Sequence, residues 1–244
     1  MADAAVVIPV RLSSTRLPNK PLALINGKPM LLHVAEVGSN AAVGDVIIAC
    51  AEPQLFELAN SNGYQAVLTD PELPSGSDRV FAAVSELSKK YSYIVNLQGD
   101  MPAVAPDLVR RLVEALRSRN VDIVTAVTPI KSQAELENPN VVKALVAPNG
   151  RALYFTRNLS IDYDMQHVYH HVGIYAYRAE ALARFVSLPP SPLEMRSRLE
   201  QLRALDDGMT IHAEIFDEVA PGVDTMQDLE HIRSIMSSVN TQKN

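Results

Sequence analysis

AVVIPVRLSSTRLPNK, residues Ala5 to Lys20, joins a continuous apolar run to a loop carrying three fixed cations. A short run that is apolar at nearly every position reads as a strand buried on both faces, the kind used by parallel sheets. Arg11, Arg16 and Lys20 follow it among small, hydroxylated and proline residues. Guanidinium forks match phosphate oxygens two at a time, and lysine adds a compact point charge. Open parallel sheets hold their ligands beyond the carboxyl ends of such strands. Three basic residues in ten can also simply decorate a surface turn. Their position, in the first loop after a buried strand of an acidic chain, favours a polyphosphate ligand such as a nucleoside triphosphate.

Outward from this stretch the first half alternates. DVIIAC (Asp45–Cys50), YQAVLTD (Tyr64–Asp70), YIVNLQ (Tyr93–Gln98) and VDIVTAV (Val121–Val127) read as further strands. Helical patterns lie between them, at Met30–Val37, Gln54–Ser61, Asp78–Lys89 and Pro106–Arg119. In the last, Leu108, Leu112, Val113 and Leu116 share one face. Strands alternating with helices predict an α/β fold, a mostly parallel sheet with helices on both faces. The second half is less regular. VVKALVAP, the Asn149–Gly150 turn and RALYFTR form a predicted hairpin, and VYHHVGIYAY (Val168–Tyr177) reads as a strand. A helix is expected over Leu193–Leu205 after Pro189, Pro190 and Pro192, then a strand at TIHAEIFDE and a helix at Asp228–Ser238. With no linker or repeat, the 244 residues read as one domain with an inserted β-rich segment. Its nucleotide-binding half spans about 1–130, its second half about 131–244.

Composition narrows the class. Hydrophobic residues make up 47% and charged residues 20%, which suits a packed core. A net charge of −6 argues against nucleic-acid binding, which needs a basic face. Cys50 is the single cysteine and sits in an apolar strand, excluding an intramolecular disulfide and a cysteine metal cluster. Neither a secretory signal pattern nor a membrane-length apolar stretch occurs, so a cytoplasmic, membrane-free protein is expected.

Several polar residues carry possible chemistry. In LQGDMP, Gly99 permits a sharp strand exit and Asp100 faces the edge bearing the cation loop. Polyphosphate chemistry uses a hard divalent cation held by few carboxylates plus the phosphates, which suits Asp100; a turn or helix-cap role is the alternative. Asp224 in GVDT is a second isolated carboxylate, with helix capping as its ordinary explanation. SGSDR opens a helix, and its amides with Arg79 can meet phosphate, ribose or a base, although on spacing alone a plain capped start is the better account. Asp162–Tyr163–Asp164 has the D-x-D form of glycosyltransferases but lacks a preceding buried strand. His170 and His171 fall on opposite faces of a strand, so with His167 they do not share one ion. Neither G-x-G-x-x-G nor a P-loop is present.

IPVRLSSTRLPNKPLALINGKPM, SGSDR, NLQGDMP, NPNVVK, ALYFTR, HVGIYAYR, PSPLE, LEQLRAL and GVDT occur in that order. Together they resemble the 3-deoxy-manno-octulosonate cytidylyltransferases, the CMP-Kdo synthetases of lipopolysaccharide synthesis. The resemblance implies a Rossmann-like nucleotide-diphospho-sugar transferase fold. It also implies transfer of CMP from CTP to the sugar's anomeric 2-hydroxyl, with release of diphosphate. By it, Arg11, Arg16 and Lys20 hold the triphosphate, while Ser75, Gly76 and Arg79 lie by the cytidine. Asp100 and Asp224 match magnesium ligands. Gln98, Arg157, His171, Tyr175, Glu200 and Gln201 match the sugar-acid pocket, with Arg157 facing the carboxylate. A homodimer, with Val168–Tyr177 contributing, is also implied. Met101 stands where such enzymes carry Glu or Gln, and the stretch between ALYF and HVGIY is shorter than usual. Rival readings are the same reaction on an 8-amino analogue, a nucleotide-binding protein that has lost catalysis, and a glycosyltransferase.

Overall fold

A computed structural model describes residues 3–14, 16–159 and 165–241. Asp162, Tyr163 and Asp164, and with them residues 160–164 of the shortened stretch, lie outside the described residues. The chain divides into two compact units, one formed by Met1–Arg110 with Ala220–Asn244 and the other by Arg111–Val219.

In the first unit the strands are β1 (Ala4–Val10), the two-residue pair β2 (Leu24–Ile25) and β3 (Lys28–Pro29), β4 (Asp45–Cys50), β5 (Gln65–Leu68) and β6 (Tyr93–Asn96). The helices are α1 (Met30–Ala41), α2 (Pro53–Ser61), α3 (Gly76–Ser85) and the start of α4 (Pro106–Ser118). β6, β1, β4 and β5 lie side by side, every neighbour parallel. This is the sheet that the alternation predicts, and Ala4 through Ile8 are fully buried as a two-faced strand requires. The β2–β3 hairpin was not foreseen; Asn26 (φ 50°) and Gly27 (φ 80°) make its turn, the Asn-Gly pair that left-handed two-residue turns favour.

The second unit holds β7 (Ile123–Pro129), α5 (Gln133–Glu137), β8 (Lys143–Val146), β9 (Ala152–Thr156), β10 (Val168–Arg178), α6 (Ala179–Ser187), α7 (Pro192–Ser197), α8 (Leu202–Asp206) and β11 (Ile211–Ile215). β11 runs parallel to β7, β10 antiparallel to β7 and β8, and β8 antiparallel to β9. The helix expected over Leu193–Leu205 is in fact two. Arg198 adopts a left-handed conformation (φ 53°) and ends α7, while Glu194 accepts from Arg203 Nε and Nη2 at 2.8 and 2.7 Å across the break. α5 and α6 were also unforeseen, the first being five residues with no buried face.

The closing helix α9 (Met226–Thr241) belongs to the first unit. Its Leu229 and Ile232 pack with Leu17, Ile25, Met30 and Val223 in one buried cluster. Leu17 thereby ties the cation loop to the core. Among the described residues no helix is long and apolar enough to cross a membrane.

Candidate active site

The cation loop leaves β1 at Arg11 and is closed by the Asn19 amide, which donates to the Leu12 carbonyl at 3.3 Å. Both Glu52 carboxylate oxygens accept from the Leu12 amide, at 3.1 and 3.0 Å, fixing the start of the loop. Asn19 turns the chain with φ 55°, a conformation asparagine tolerates, into a 3-10 turn at Lys20–Leu22. Buried Leu17 and Pro21 anchor the loop, leaving Arg11 and Arg16 exposed and Lys20 partly so.

A cavity of about 400 Å³ opens beside this loop at the carboxyl edge of the parallel strands, within the first unit. Arg11, Arg16, Lys20, Asp100 and Asp224 line it. So do Ser75, Gly76, Arg79 and Gln98, which closes the list of sequence candidates in this unit. The structure thus gathers nine of them around one space.

Lys20 Nζ donates to Asp100 Oδ2 at 2.7 Å and to Asp224 Oδ1 at 3.2 Å, and Arg16 Nη2 lies 3.1 Å from Asp224 Oδ2. The two carboxylates therefore converge on a single cationic point. Asp100 sits in a turn, with the Met101 amide donating to the Gln98 carbonyl at 3.2 Å, and α4 starts only at Pro106, so Asp100 caps no helix. Gly99 is required for a reason other than the expected sharp exit. A Cβ there would lie 2.6 Å from Val10 Cγ1 and 3.1 Å from the Pro9 carbonyl, so close passage against β1 demands glycine. Met101 is buried in the fold and adds no polar group.

Asp224 is free of the capping role. Thr225 and Asp228 cap α9 instead, Asp228 Nα donating to Thr225 Oγ1 at 3.2 Å while Asp228 Oδ2 accepts from the Thr225 amide at 2.7 Å. The Val223 amide donates to the Asp100 carbonyl at 2.8 Å, so the two carboxylate-bearing segments are joined through backbone.

Ser75 does cap α3, its Oγ accepting from the Asp78 amide at 3.2 Å. Arg79 is 3% exposed and its guanidinium reaches Thr69 Oγ1 (2.6 Å), the Asp70 carbonyl (3.0 Å) and the Pro71 carbonyl (3.2 Å). It holds the segment leading to Leu73 and Pro74, which wall the cavity. Gln98 donates through Nε2 to Asn96 Oδ1 at 2.9 Å.

The remaining candidates lie in the second unit. His171 is buried and lies edge-on to Phe155, with ring centroids 4.9 Å apart, and 5.5 Å from Tyr175. A bulge in β10 aims the Ile174 carbonyl at Thr125 Oγ1, 2.9 Å away, with the Val172 carbonyl at 3.3 Å. With the hydroxyl proton assigned to Ile174, the 3.0 Å contact between Thr125 Oγ1 and His171 is donated by Nε2–H, leaving Nδ1 as an acceptor. Burial, with the charge of His170 adding, pushes the His171 pKa down to about 3. The imidazole is therefore neutral at ordinary pH. Burial raises the Tyr175 phenol well above its usual value, with Tyr177 and the charge of Glu200 adding. Gln201 is buried just ahead of α8. Arg157 extends its Nη1 to the Pro139 carbonyl at 3.2 Å. His170 turns away from His171 and meets Glu135 Oε1 at 2.8 Å, as strand alternation predicts. Among the described residues no cluster of three or more His, Cys, Asp or Glu side chains could hold a metal ion.

Three supporting residues escaped the sequence reading. Glu52 carried no local signal. Lys143 is a lysine inside an apolar strand, and it is fully buried with Nζ donating to the carbonyls of Asn138, Val141 and Arg157 at 2.7, 2.9 and 2.8 Å. Asp228 stands three residues after Thr225, the spacing of a capping box.

Comparison with known proteins bears on the family. A family model described as cytidylyltransferase matches residues 5–211. A 3-deoxy-manno-octulosonate cytidylyltransferase of Paramagnetospirillum magneticum is 47% identical over 240 residues, covering 96% of this chain and 97% of the relative. One from Parvibaculum lavamentivorans is 49% identical, covering 95% and 92%. Among solved structures, a CMP:2-keto-3-deoxy-manno-octonic acid synthetase complexed with CTP superposes with a TM-score of 0.90 at 35% identity, over 96% of this chain and 98% of that one. A 4-diphosphocytidyl-2C-methyl-D-erythritol synthase from Anaerococcus prevotii shares the fold at a TM-score of 0.68 and 9% identity. With this coverage, identity and shared architecture, the chain belongs to the 3-deoxy-manno-octulosonate cytidylyltransferases, a family of α/β nucleotidyltransferases.

Proposed function

We propose that this chain activates 3-deoxy-manno-octulosonate with CTP, giving CMP-Kdo and diphosphate for lipopolysaccharide synthesis. The observation that carries the reading is the cavity where three cations and two converging carboxylates meet at the edge of the parallel sheet. The anomeric 2-hydroxyl oxygen attacks the α-phosphorus of CTP, the new P–O bond forming as the bond to the β-phosphate's bridging oxygen breaks. Diphosphate departs, and the hydroxyl proton is released. In such in-line displacements positioning and neutralisation of charge do most of the work. Arg11, Arg16 and Lys20 neutralise the triphosphate, and Arg79 keeps the cavity wall in place beside the Ser75–Gly76 turn that meets the cytidine.

Asp100 Oδ2 and Asp224 Oδ1 accept from one ammonium, and such paired hard oxygens, completed by phosphate, fit a magnesium ion. When bound it supplies charge neutralisation at the phosphates and a lowered pKa for the attacking hydroxyl. The sugar acid is assigned to Gln98, Arg157, His171, Tyr175, Glu200 and Gln201, with Arg157 as the carboxylate's partner. His171, neutral and with Nδ1 as acceptor, suits a sugar hydroxyl rather than a carboxylate. A cytoplasmic homodimer, with Val168–Tyr177 contributing to its interface, completes the proposal and rests on the family resemblance.

Phosphorus NMR of purified protein with CTP, magnesium and the sugar tests the reaction. A phosphodiester resonance growing together with diphosphate is the expected outcome. Equal conversion of ATP, GTP or UTP, or conversion of CTP without the sugar, would contradict it.

A further inference from the structure

We infer that Asp228 is a positioning residue for Asp224; the inference rests on the reading of Asp224 as a holder of the divalent cation. Asp224 is half exposed and lies in a short loop before α9, a setting in which a carboxylate ordinarily swings freely. Lys20 and Arg16 engage the carboxylate itself, and Asp228 fixes the backbone that carries it. A single oxygen, Oδ2, accepts from the Asp224 amide at 3.0 Å, the Thr225 amide at 2.7 Å and Thr225 Oγ1 at 2.9 Å.

The bond to the Asp224 amide distinguishes this arrangement from ordinary capping. A capping box needs only the reciprocal Thr225–Asp228 bonds to finish the helix. The additional bond fixes the backbone of the residue just before the cap, and therefore the direction in which its Cα–Cβ bond leaves the chain. One residue earlier, the Val223 amide is bound to the Asp100 carbonyl at 2.8 Å and its side chain is fully buried. Asp224 is thus held from both sides, with its carboxylate kept opposite that of Asp100. Outer groups that orient metal ligands in this way contribute about 10- to 100-fold to metal affinity.

The test is Mn²⁺ binding to the full chain, followed by electron paramagnetic resonance with and without CTP and with no sugar present. Asp228→Ala should lower Mn²⁺ affinity about tenfold or more. Asp228→Asn keeps an acceptor oxygen in the same place and should restore most of the affinity. Thr225→Val removes the hydroxyl of the cap but leaves both amide bonds to Asp228; it should lower melting temperature as Asp228→Ala does, while Mn²⁺ affinity stays within about twofold of the native value. Equal losses of affinity in Asp228→Ala and Thr225→Val would make the effect one of helix stability and overturn the inference. Native affinity in Asp228→Ala, or an Asn variant as weak as the Ala variant, would overturn it as well. Asp224→Asn serves as the reference: if it leaves Mn²⁺ binding intact, the cation-holding role of Asp224 itself falls.

Discussion

Replacing Lys143 with methionine probes how the second unit presents Arg157. The ammonium is fully buried, and its three protons go to the carbonyls of Asn138, Val141 and Arg157 at 2.7–2.9 Å. Burial pulls the lysine pKa below its usual value, with Arg157 adding and Glu135 opposing. Methionine keeps the length of the side chain and removes all three donors. The Asn138 carbonyl retains a second donor, the Val141 amide at 3.1 Å, so the loss falls mainly on the other two carbonyls. A buried carbonyl left without its donor costs about 1–3 kcal/mol. Relief of the buried charge offsets part of this, and with two carbonyls affected a net loss of about 2–4 kcal/mol remains. In a chain of this size that lowers the melting temperature by roughly 5–15 °C. Because Lys143 grips the Arg157 carbonyl and the turn containing Pro139, whose carbonyl takes the Arg157 guanidinium, the KM for the sugar acid should rise while that for CTP stays level. Urea unfolding and steady-state kinetics with each substrate varied in turn read both effects. A methionine variant as stable as the native chain, or one whose KM rises for CTP instead, would refute the reasoning.

Other perturbations have equally definite outcomes. Unfolded His171 takes up its proton near 6.5 and the folded residue only near 3, so the unfolded state binds more protons between those values. Stability should therefore fall as pH drops through that window, by about 1 kcal/mol per pH unit from this residue, and His171→Phe should remove that part of the slope in urea titrations. Gly99→Ala places a Cβ 2.6 Å from Val10 Cγ1; a stability loss of about 1–3 kcal/mol and weaker CTP binding by calorimetry should follow. Arg79→Lys replaces the two-nitrogen fork, whose Nη1 reaches Thr69 and Asp70 and whose Nη2 reaches Pro71, with a shorter point donor, so a raised KM for CTP and about 2 kcal/mol lower stability are expected from kinetics and unfolding.

The parallel strands could be read directly because residues buried on both faces leave continuous apolar runs, and Ala4–Ile8 and Ile47–Cys50 are such runs. The division of the helix near Arg198 could not, because Leu199 and Leu202 continue an apolar pattern across it, and the break accompanies the pairing of Glu194 with Arg203. The β2–β3 hairpin carried its signal in Asn26–Gly27, but two-residue strands offer no alternation to detect. In the site, the cation loop and Asp100 stood out by position after strands. Whether Asp224 capped a helix or faced the cavity turned on which of two adjacent residues took the cap; the Thr225–Asp228 spacing carried that signal, and the contacts between the two decide it. The contact of His171 with Thr125 joins residues 46 apart in sequence, and the roles of Glu52 and Lys143 depend on tertiary partners in the same way.

Diphosphate release, followed with purified native chain and Asp100→Asn in the presence of magnesium, tests the central claim most directly. The account predicts release that requires CTP and 3-deoxy-manno-octulosonate together and collapses in the variant. Saturable CTP binding without release from any acid sugar would contradict it, as would an Asp100→Asn variant that turns over at the native rate.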